Sequence, residues 1–334
     1  MSNNDIMIVG AADVEAALRG REEDVLDAVQ KAYETHSRGA SSLPHSSFLR
    51  FPDSEKDRII CLPAYLGEGY QLAGVKWIAS VPGNLDRGLE RASAVMILND
   101  RLTGRPGAVI EGSIISKQRT AASAALASKA LARREPKTIG FVGCGPINVA
   151  VAQFLAVVWP GVERFVAFDL DQSRAEVFGR SLSSFKADAE FSEAMSLEDV
   201  LSECEMVAFG TTAIVPHVKS LEACPDGATI LHVSLRDLDT DVILANHNVV
   251  DDLDHVNRAA TSIHLASQQA GNTAFVHSSL GDILLGRVPL PEDDKRKIVF
   301  SPFGLGILDL AVADLTLSTM DKTCGGTRVR SFLP

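Results

Sequence analysis

One stretch limits the folds open to this chain. Residues 138–148 read Thr-Ile-Gly-Phe-Val-Gly-Cys-Gly-Pro-Ile-Asn. An apolar strand over Ile139 to Val142 runs into a glycine turn, then into a helix through Ala150, Ala152, Phe154 and Leu155. Pro146 suits the first helical position, where a missing N–H has no intrahelical partner to lose. Gly143 permits a tight turn, and Gly145 lets the backbone approach a pyrophosphate lying on the helix N-terminus. Asn148 stands at the third glycine position of the G-x-G-x-x-G pattern, so the match is partial.

The surroundings strengthen it. A second strand, Arg164-Phe-Val-Ala-Phe168, ends in Asp169, the spacing expected of the acid that bonds the adenine ribose hydroxyls. No Arg or Lys follows at once to receive a 2′-phosphate, which the carboxylate would repel, so the expected cofactor is NAD rather than NADP. Gly143, Gly145, Pro146, Ile147, Asn148 and Asp169 are the residues expected to meet it. The competing reading is a flavodoxin-like sheet that binds nothing here, with Asp169 only capping a helix.

Beyond residue 138 near-continuous apolar strands alternate with helices, as in a parallel sheet covered on both faces. Strands are expected at 206–209, 228–233, 248–250 and 297–300. Helices start at Ser196-Leu-Glu-Asp199, a capping-box pattern, and at Ser279-Leu-Gly-Asp282. Before residue 112 the pattern differs. After a strand at Ile6 to Val9 and helices near 13–19 and 24–37, short β-like runs over 48–51, 58–62, 72–79, 94–98 and 107–110 are broken by Pro, Gly and Asp, indicating an antiparallel or mixed sheet. A small-residue helix over about 113–134 ends at Glu135-Pro136.

The expected fold is therefore α/β: a Rossmann-type doubly wound parallel sheet over 135–304, plus a discontinuous α+β domain for substrate and dimerisation over 1–134 and 305–334. The last helix, Ile307 to about Met320, is expected to rejoin the first domain. The tail from Cys324 is expected to be loose.

A net charge of −11, with no basic run, argues against nucleic acid or an anionic membrane as partner. No apolar stretch approaches a membrane span, and the polar start Met1-Ser-Asn-Asn-Asp5 does not read as a signal peptide. The five cysteines are scattered and never spaced C-x-x-C, which suits reduced thiols in a cytoplasmic protein. The eight histidines show no ligand spacing, so no metal is expected.

Ligands of open α/β sheets lie outside the carboxyl ends of the strands. Thr211 and Thr212, Ser234 and Ser301 follow such ends. The threonines either bond cofactor phosphate or ribose or simply form a turn. Asp237 is the acid nearest the expected nicotinamide ring, either a general base that can activate water or a helix cap. Lys76 interrupts the apolar run Ala73-Gly-Val-Lys-Trp-Ile, an expensive place for an ammonium without a task or a partner. Arg50 and Arg119 suit bidentate capture of a carboxylate, or else surface ion pairs.

These residues resemble the ornithine cyclodeaminase/μ-crystallin family over nearly the whole chain. The matching pieces are Val75-Lys-Trp77, Ala94-Val-Met-Ile-Leu-Asn-Asp100 through Thr103-Gly104, Arg119-Thr-Ala-Ala, Gly143-Cys-Gly145 and Ser301-Pro-Phe-Gly-Leu-Gly-Ile-Leu-Asp-Leu-Ala311. The resemblance implies a homodimer joined through the first domain, NAD(P) in the second and an amino or imino acid between them. It also implies that Arg50, Lys76 and Arg119 hold the substrate carboxylate and that Asp237 is the acid/base. Ser46-Ser-Phe-Leu-Arg-Phe51, Lys76-Trp-Ile-Ala-Ser-Val-Pro-Gly-Asn-Leu85 and Ser234-Leu-Arg-Asp237 are most similar to the branch of 2,3-diaminopropionate biosynthesis. Members of that branch oxidise N-(2-amino-2-carboxyethyl)-L-glutamate, an amino-acid conjugate, in siderophore and peptide-antibiotic pathways. Such a substrate carries three carboxylates, and Arg236 is a candidate for one of them. Ornithine cyclodeaminase or another amino-acid dehydrogenase of the family, and a crystallin-like protein that binds without turnover, are the alternatives.

Overall fold

The computed structural model describes residues 4–291, 295–323 and 325–334. The chain divides into two compact units, 1–119 with 305–334, and 120–304. In chain order the first begins with β1 (Ile6–Val9), α1 (Ala11–Leu18), α2 (Glu22–Ser37), β2 (Ser41–Ser42), β3 (Ser47–Phe51), β4 (Ser54–Leu66), β5 (Leu72–Ser80), β6 (Ala92–Asp100) and β7 (Pro106–Glu111). Helix α3 (Ser113–Leu131) follows. The second unit holds β8 (Thr138–Val142), α4 (Pro146–Val158), β9 (Arg164–Phe168), α5 (Gln172–Ser183), β10 (Glu190–Glu193), α6 (Leu197–Glu203), β11 (Met206–Phe209) and β12 (Thr229–His232). It continues with α7 (Thr240–Ala245), β13 (His247–Val250), α8 (Leu253–Val256), α9 (Ser262–Ala270), β14 (Val276–Ser279), α10 (Leu280–Leu284) and β15 (Ile298–Ser301). The chain then returns to the first unit with α11 (Gly306–Thr323) and β16 (Thr327–Val329).

The first sheet runs β16-β1-β7-β6-β5-β4-β2, with β3 also on β4. Only the β1–β7 pair is parallel; the others are antiparallel. Side chains alternate between faces along a strand, and the register Phe48↔Ile60↔Ile78↔Ala94 puts even-numbered residues of β3 to β6 on one face. Ala64, Leu66, Met96 and Leu98 on that face are buried, and α2 and α11 pack against its β4 side. On the odd face Leu49, Trp77 and Ile97 remain 46%, 42% and 37% exposed. The tail expected to be loose instead forms β16, antiparallel to β1, with Ile6 opposite Val329; an exposed tripeptide without an apolar pattern gives no sign that an edge strand awaits it. Cys324 lies outside the described residues.

The second sheet is all parallel, in the order β10-β9-β8-β11-β12-β15-β13-β14. The strand order reverses between β8 and β11, so the topological switch point lies at the carboxyl ends of those two strands. Phe141, Phe165 and Phe178 pack together, with ring centroids 5.9 and 5.0 Å from Phe141. Each is fully buried, and burying such a side chain contributes about 1.5–3 kcal/mol. Strands β10 and β14 escape the sequence pattern because both are short, polar and peripheral. The division between units falls inside α3, upstream of Glu135-Pro136. The downstream half of α3 belongs with the second unit, where Trp159 Nε1 donates to Ser128 Oγ at 2.9 Å.

Candidate active site

In the second unit the glycine turn closes the switch point. Gly143 has φ +85°, and a Cβ there would stand 2.8 Å from Gly210 O. Gly210 is itself blocked, since its Cβ would meet Asn148 Oδ1 at 2.5 Å. Asn148 is fully buried, and its amide donates to Val142 O, Gly143 O and Ala208 O. Its side chain therefore fixes the turn from behind, and its backbone N–H lies in the first turn of α4. Asp169 reaches back to the turn, accepting from Cys144 N at 2.7 Å and Asp171 N at 3.0 Å. Lone pairs remain on its carboxylate for hydroxyl donors. Gly145 caps α4 with Pro146 at the first helical position, and a Cβ on Gly145 would meet nothing within 4 Å. An exposed helix N-terminus with open space beside a glycine and a carboxylate one strand away is a cradle that fits a dinucleotide.

Around the ends of β11 and β12 lies a buried polar cluster. Asp237 is fully buried, and its carboxylate accepts from the hydroxyls of Thr211 and Ser234. His232 Nε2 lies 3.1 Å from the Asp237 backbone N and 3.3 Å from its Oδ2. A neutral ring accepts from the amide there, whereas a protonated ring donates to the carboxylate. On its other side His232 Nδ1 meets Ser301 Oγ at 3.1 Å. Burial pushes the Asp237 carboxyl up, but hydrogen bonds from His232, Ser234 and Thr211 outweigh it, holding the group below the usual carboxylate range. Asp237 is not a helix cap; Asp239 caps α7. Ser301 is fully buried, and its hydroxyl is engaged with His232. Thr212 is exposed. Arg236 is held by Ala259 O at 2.7 Å. Leu235, between Ser234 and Arg236, has φ +70°, a strained conformation for a branched residue.

The first unit gathers its own charges. Lys76 Nζ donates to Asp309 Oδ2 at 2.7 Å and to Ser116 Oγ at 3.0 Å. Arg119 Nε donates to Asp309 Oδ1 at 3.0 Å, and its Nη2 reaches Ser116 Oγ at 3.3 Å. Lys76 is 2% exposed, Arg119 9% and Asp309 0%. Burial pulls Lys76 down to about 8, with Asp309 resisting and Arg119 adding to the fall. Arg50 lies apart from this network, over the Phe48 ring at 5.8 Å. Asp309 and His232 were not singled out from the sequence. Asp309 carries the same signal as Lys76, a charge inside the apolar run Ile307 to Ala313. His232 ends an apolar strand and offers little to distinguish it from an ordinary core histidine.

Among the described residues no group of three or more His, Cys, Asp or Glu side chains is placed to hold a metal ion, and no helix is long and apolar enough to cross a membrane. Cys61, Cys144, Cys204 and Cys224 are free thiols.

The model of the ornithine cyclodeaminase/mu-crystallin family matches residues 4–322. The chain belongs to that family. It is 30% identical over 318 residues to the N-((2S)-2-amino-2-carboxyethyl)-L-glutamate dehydrogenase of Staphylococcus aureus (strain NCTC 8325 / PS 47), covering 93% of this chain and 94% of that protein. It is 29% identical to the alanine dehydrogenase of Archaeoglobus fulgidus over 93% of this chain and 94% of that one. A solved archaeal alanine dehydrogenase dimer with bound NAD superposes with a TM-score of 0.87 at 27% identity, over 98% of this chain and 99% of that one. The family resemblance read from the motifs is thus borne out across the chain, as is the α/β fold with its discontinuous partner domain.

Proposed function

We propose that this family member is an NAD-dependent oxidoreductase of amino-acid C–N bonds, and that its substrate is N-(2-amino-2-carboxyethyl)-L-glutamate. The observation that carries the reading is the network of Lys76, Arg119 and Asp309. Two buried cations share one carboxylate, so the network keeps a net positive charge that a substrate carboxylate completes. The names of the two relatives support the chemistry: both are dehydrogenases of amino acids, and that of the Staphylococcus protein names this conjugate.

Gly143, Gly145, Pro146 and Ile147, with Asp169 and Thr212, hold the dinucleotide. The bound dinucleotide would supply a hydride acceptor for the glutamate-side Cα. Lys76 and Arg119 fix the carboxylate beside that carbon, which orients its C–H bond. Oxidation leaves a C=N bond, to which water adds at carbon. Asp237, held ionised by Thr211, Ser234 and His232, takes the proton from that water and returns it to the departing nitrogen. His217, 41% exposed with Nε2 4.0 Å from Asp237 Oδ1, provides exchange with solvent. Cleavage of the C–N bond releases 2-oxoglutarate and L-2,3-diaminopropionate, with NADH and one proton as the balancing products. The exposed odd face bearing Leu49, Trp77 and Ile97 joins two copies into a homodimer in the cytoplasm, and the product feeds siderophore or peptide-antibiotic synthesis.

Incubation of enzyme, NAD⁺ and the conjugate, followed at 340 nm (NADH absorbance) and by mass spectrometry for 2-oxoglutarate, tests the proposal. Absence of NADH, or turnover of ornithine to proline instead, rejects it.

A further inference from the structure

Beyond Lys76, the first sheet carries a second set of cations at one end. Arg50 and Arg58 are cross-strand partners on β3 and β4, on the same even face as Lys76. Arg58 is in register with Ser80, and Ser80 with Ala92, so Arg91 lies at the same end of the sheet, its carbonyl accepting from Val81 N. Arg58 and Arg91 are half-buried. Among the described residues, none of the three arginines forms an ion pair. Burial and then Arg50 pull the Arg58 guanidinium below its usual range, and burial and then Arg58 do the same to Arg91. Half-buried Arg58 and Arg91, with exposed Arg50 beside them, share a corner in which no acid pairs with them among the described residues, and such a corner is favourable toward an anion.

The ground between the two cation groups is apolar. Lys76 and Ser80 are four residues apart on β5, about 13 Å at 3.3 Å per residue. Ile60, Ile78 and Ala94, mutually in register, floor the interval on the same face. Long arginine and lysine side chains can close on it from both ends.

We propose that Arg50, Arg58 and Arg91 form a second anion subsite in the first unit, which takes the substrate carboxylate remote from the bond being oxidised. The ligand class is an aliphatic polycarboxylate: one carboxylate at Lys76 and Arg119, a methylene chain over Ile60 and Ile78, and another carboxylate at the arginines. The inference rests on the proposed function for the identity of that ligand. It gives Arg58 and Arg91 the part that the sequence offered to Arg236, whose guanidinium is already held by Ala259 O.

The test compares 2-oxoglutarate with 2-oxopentanoate, the same chain without the distal carboxylate, by calorimetry on the full-length protein saturated with NADH. The wild type is expected to bind 2-oxoglutarate at least tenfold more tightly. Arg58→Gln and Arg91→Gln are expected to erase most of that preference, and Arg58→Lys to keep part of it. Fluorescence titration of NADH reports whether each variant is folded. Equal binding of the two ligands by the wild type overturns the subsite without any variant, and so does a preference that survives both glutamine substitutions. The turnover assay is independent: failure there with an arginine-dependent preference for 2-oxoglutarate keeps the subsite and removes the proposed reaction.

Discussion

Replacing Asp309 by Asn probes the charge network at its centre. The carboxylate is fully buried and is the shared partner of Lys76 at 2.7 Å and Arg119 at 3.0 Å. Its charge and its hydrogen bond both raise the Lys76 pKa against burial, so removing the charge drives that pKa below about 8. At an effective dielectric of 20, two unit charges 4 Å apart interact by about 4 kcal/mol. Even if relaxation recovers most of that, about 1.4 kcal/mol remains, which is one pKa unit. Lys76 binds carboxylate as a cation, so kcat/KM of the wild type is expected to fall as pH rises through about 8. In Asp309→Asn that falling limb is expected to move at least one unit lower. The assay is initial rate of NADH formation against pH under subsaturating conjugate, which reports groups of the free enzyme. Stability follows the same proton. The folded lysine releases it near 8 while the unfolded chain holds it to about 10.4, so wild-type stability rises with pH between those values. A limb that stays in place, or moves upward, in Asp309→Asn refutes this assignment of charges.

Other outcomes follow from the second unit. Asp237→Asn is expected to lower kcat by about 10²–10⁴-fold while NADH affinity measured by fluorescence stays within about threefold; an unchanged kcat removes Asp237 from the chemistry. Asp169→Ala is expected to weaken NADH binding and narrow the preference over NADPH, because the carboxylate that repels a 2′-phosphate is gone; competitive titration of the two nucleotides decides. Gly210→Ala puts a methyl 2.5 Å from Asn148 Oδ1, and a thermal-shift loss equivalent to about 1–3 kcal/mol should accompany weaker NADH binding.

The parallel sheet was legible because Ile139-Gly-Phe-Val142 and Met206-Val-Ala-Phe209 are apolar on both faces, a pattern few other folds require. The even–odd faces of the first sheet were not, since Phe48, Arg50, Ile60 and Lys76 mix polar and apolar residues on one side, and only the register sorts them. Lys76 stood out as a charge within apolar sequence. The pairing that gives it meaning did not, because Asp309 lies 233 positions away. Asn148 looked like a defective third glycine. Its role appears only when three carbonyls, from two strands and the turn between β8 and α4, converge on its amide. Ser301 was placed correctly at a strand end, but the direction of its hydroxyl, toward His232, is a property of packing that composition does not encode.

The return of the chain end to the first unit has a consequence for biosynthesis. When residue 119 leaves the ribosome, an ammonium and a guanidinium destined for the interior have no counter-ion, and the sheet face beside them lacks its covering helix. The continuous stretch 120–304 can complete its own core before translation ends. The amino-terminal third is thus the last to mature, as a waiting intermediate with uncompensated positive charge and bare apolar surface. Its dependence on chaperones during that interval should exceed that of the segment made after it.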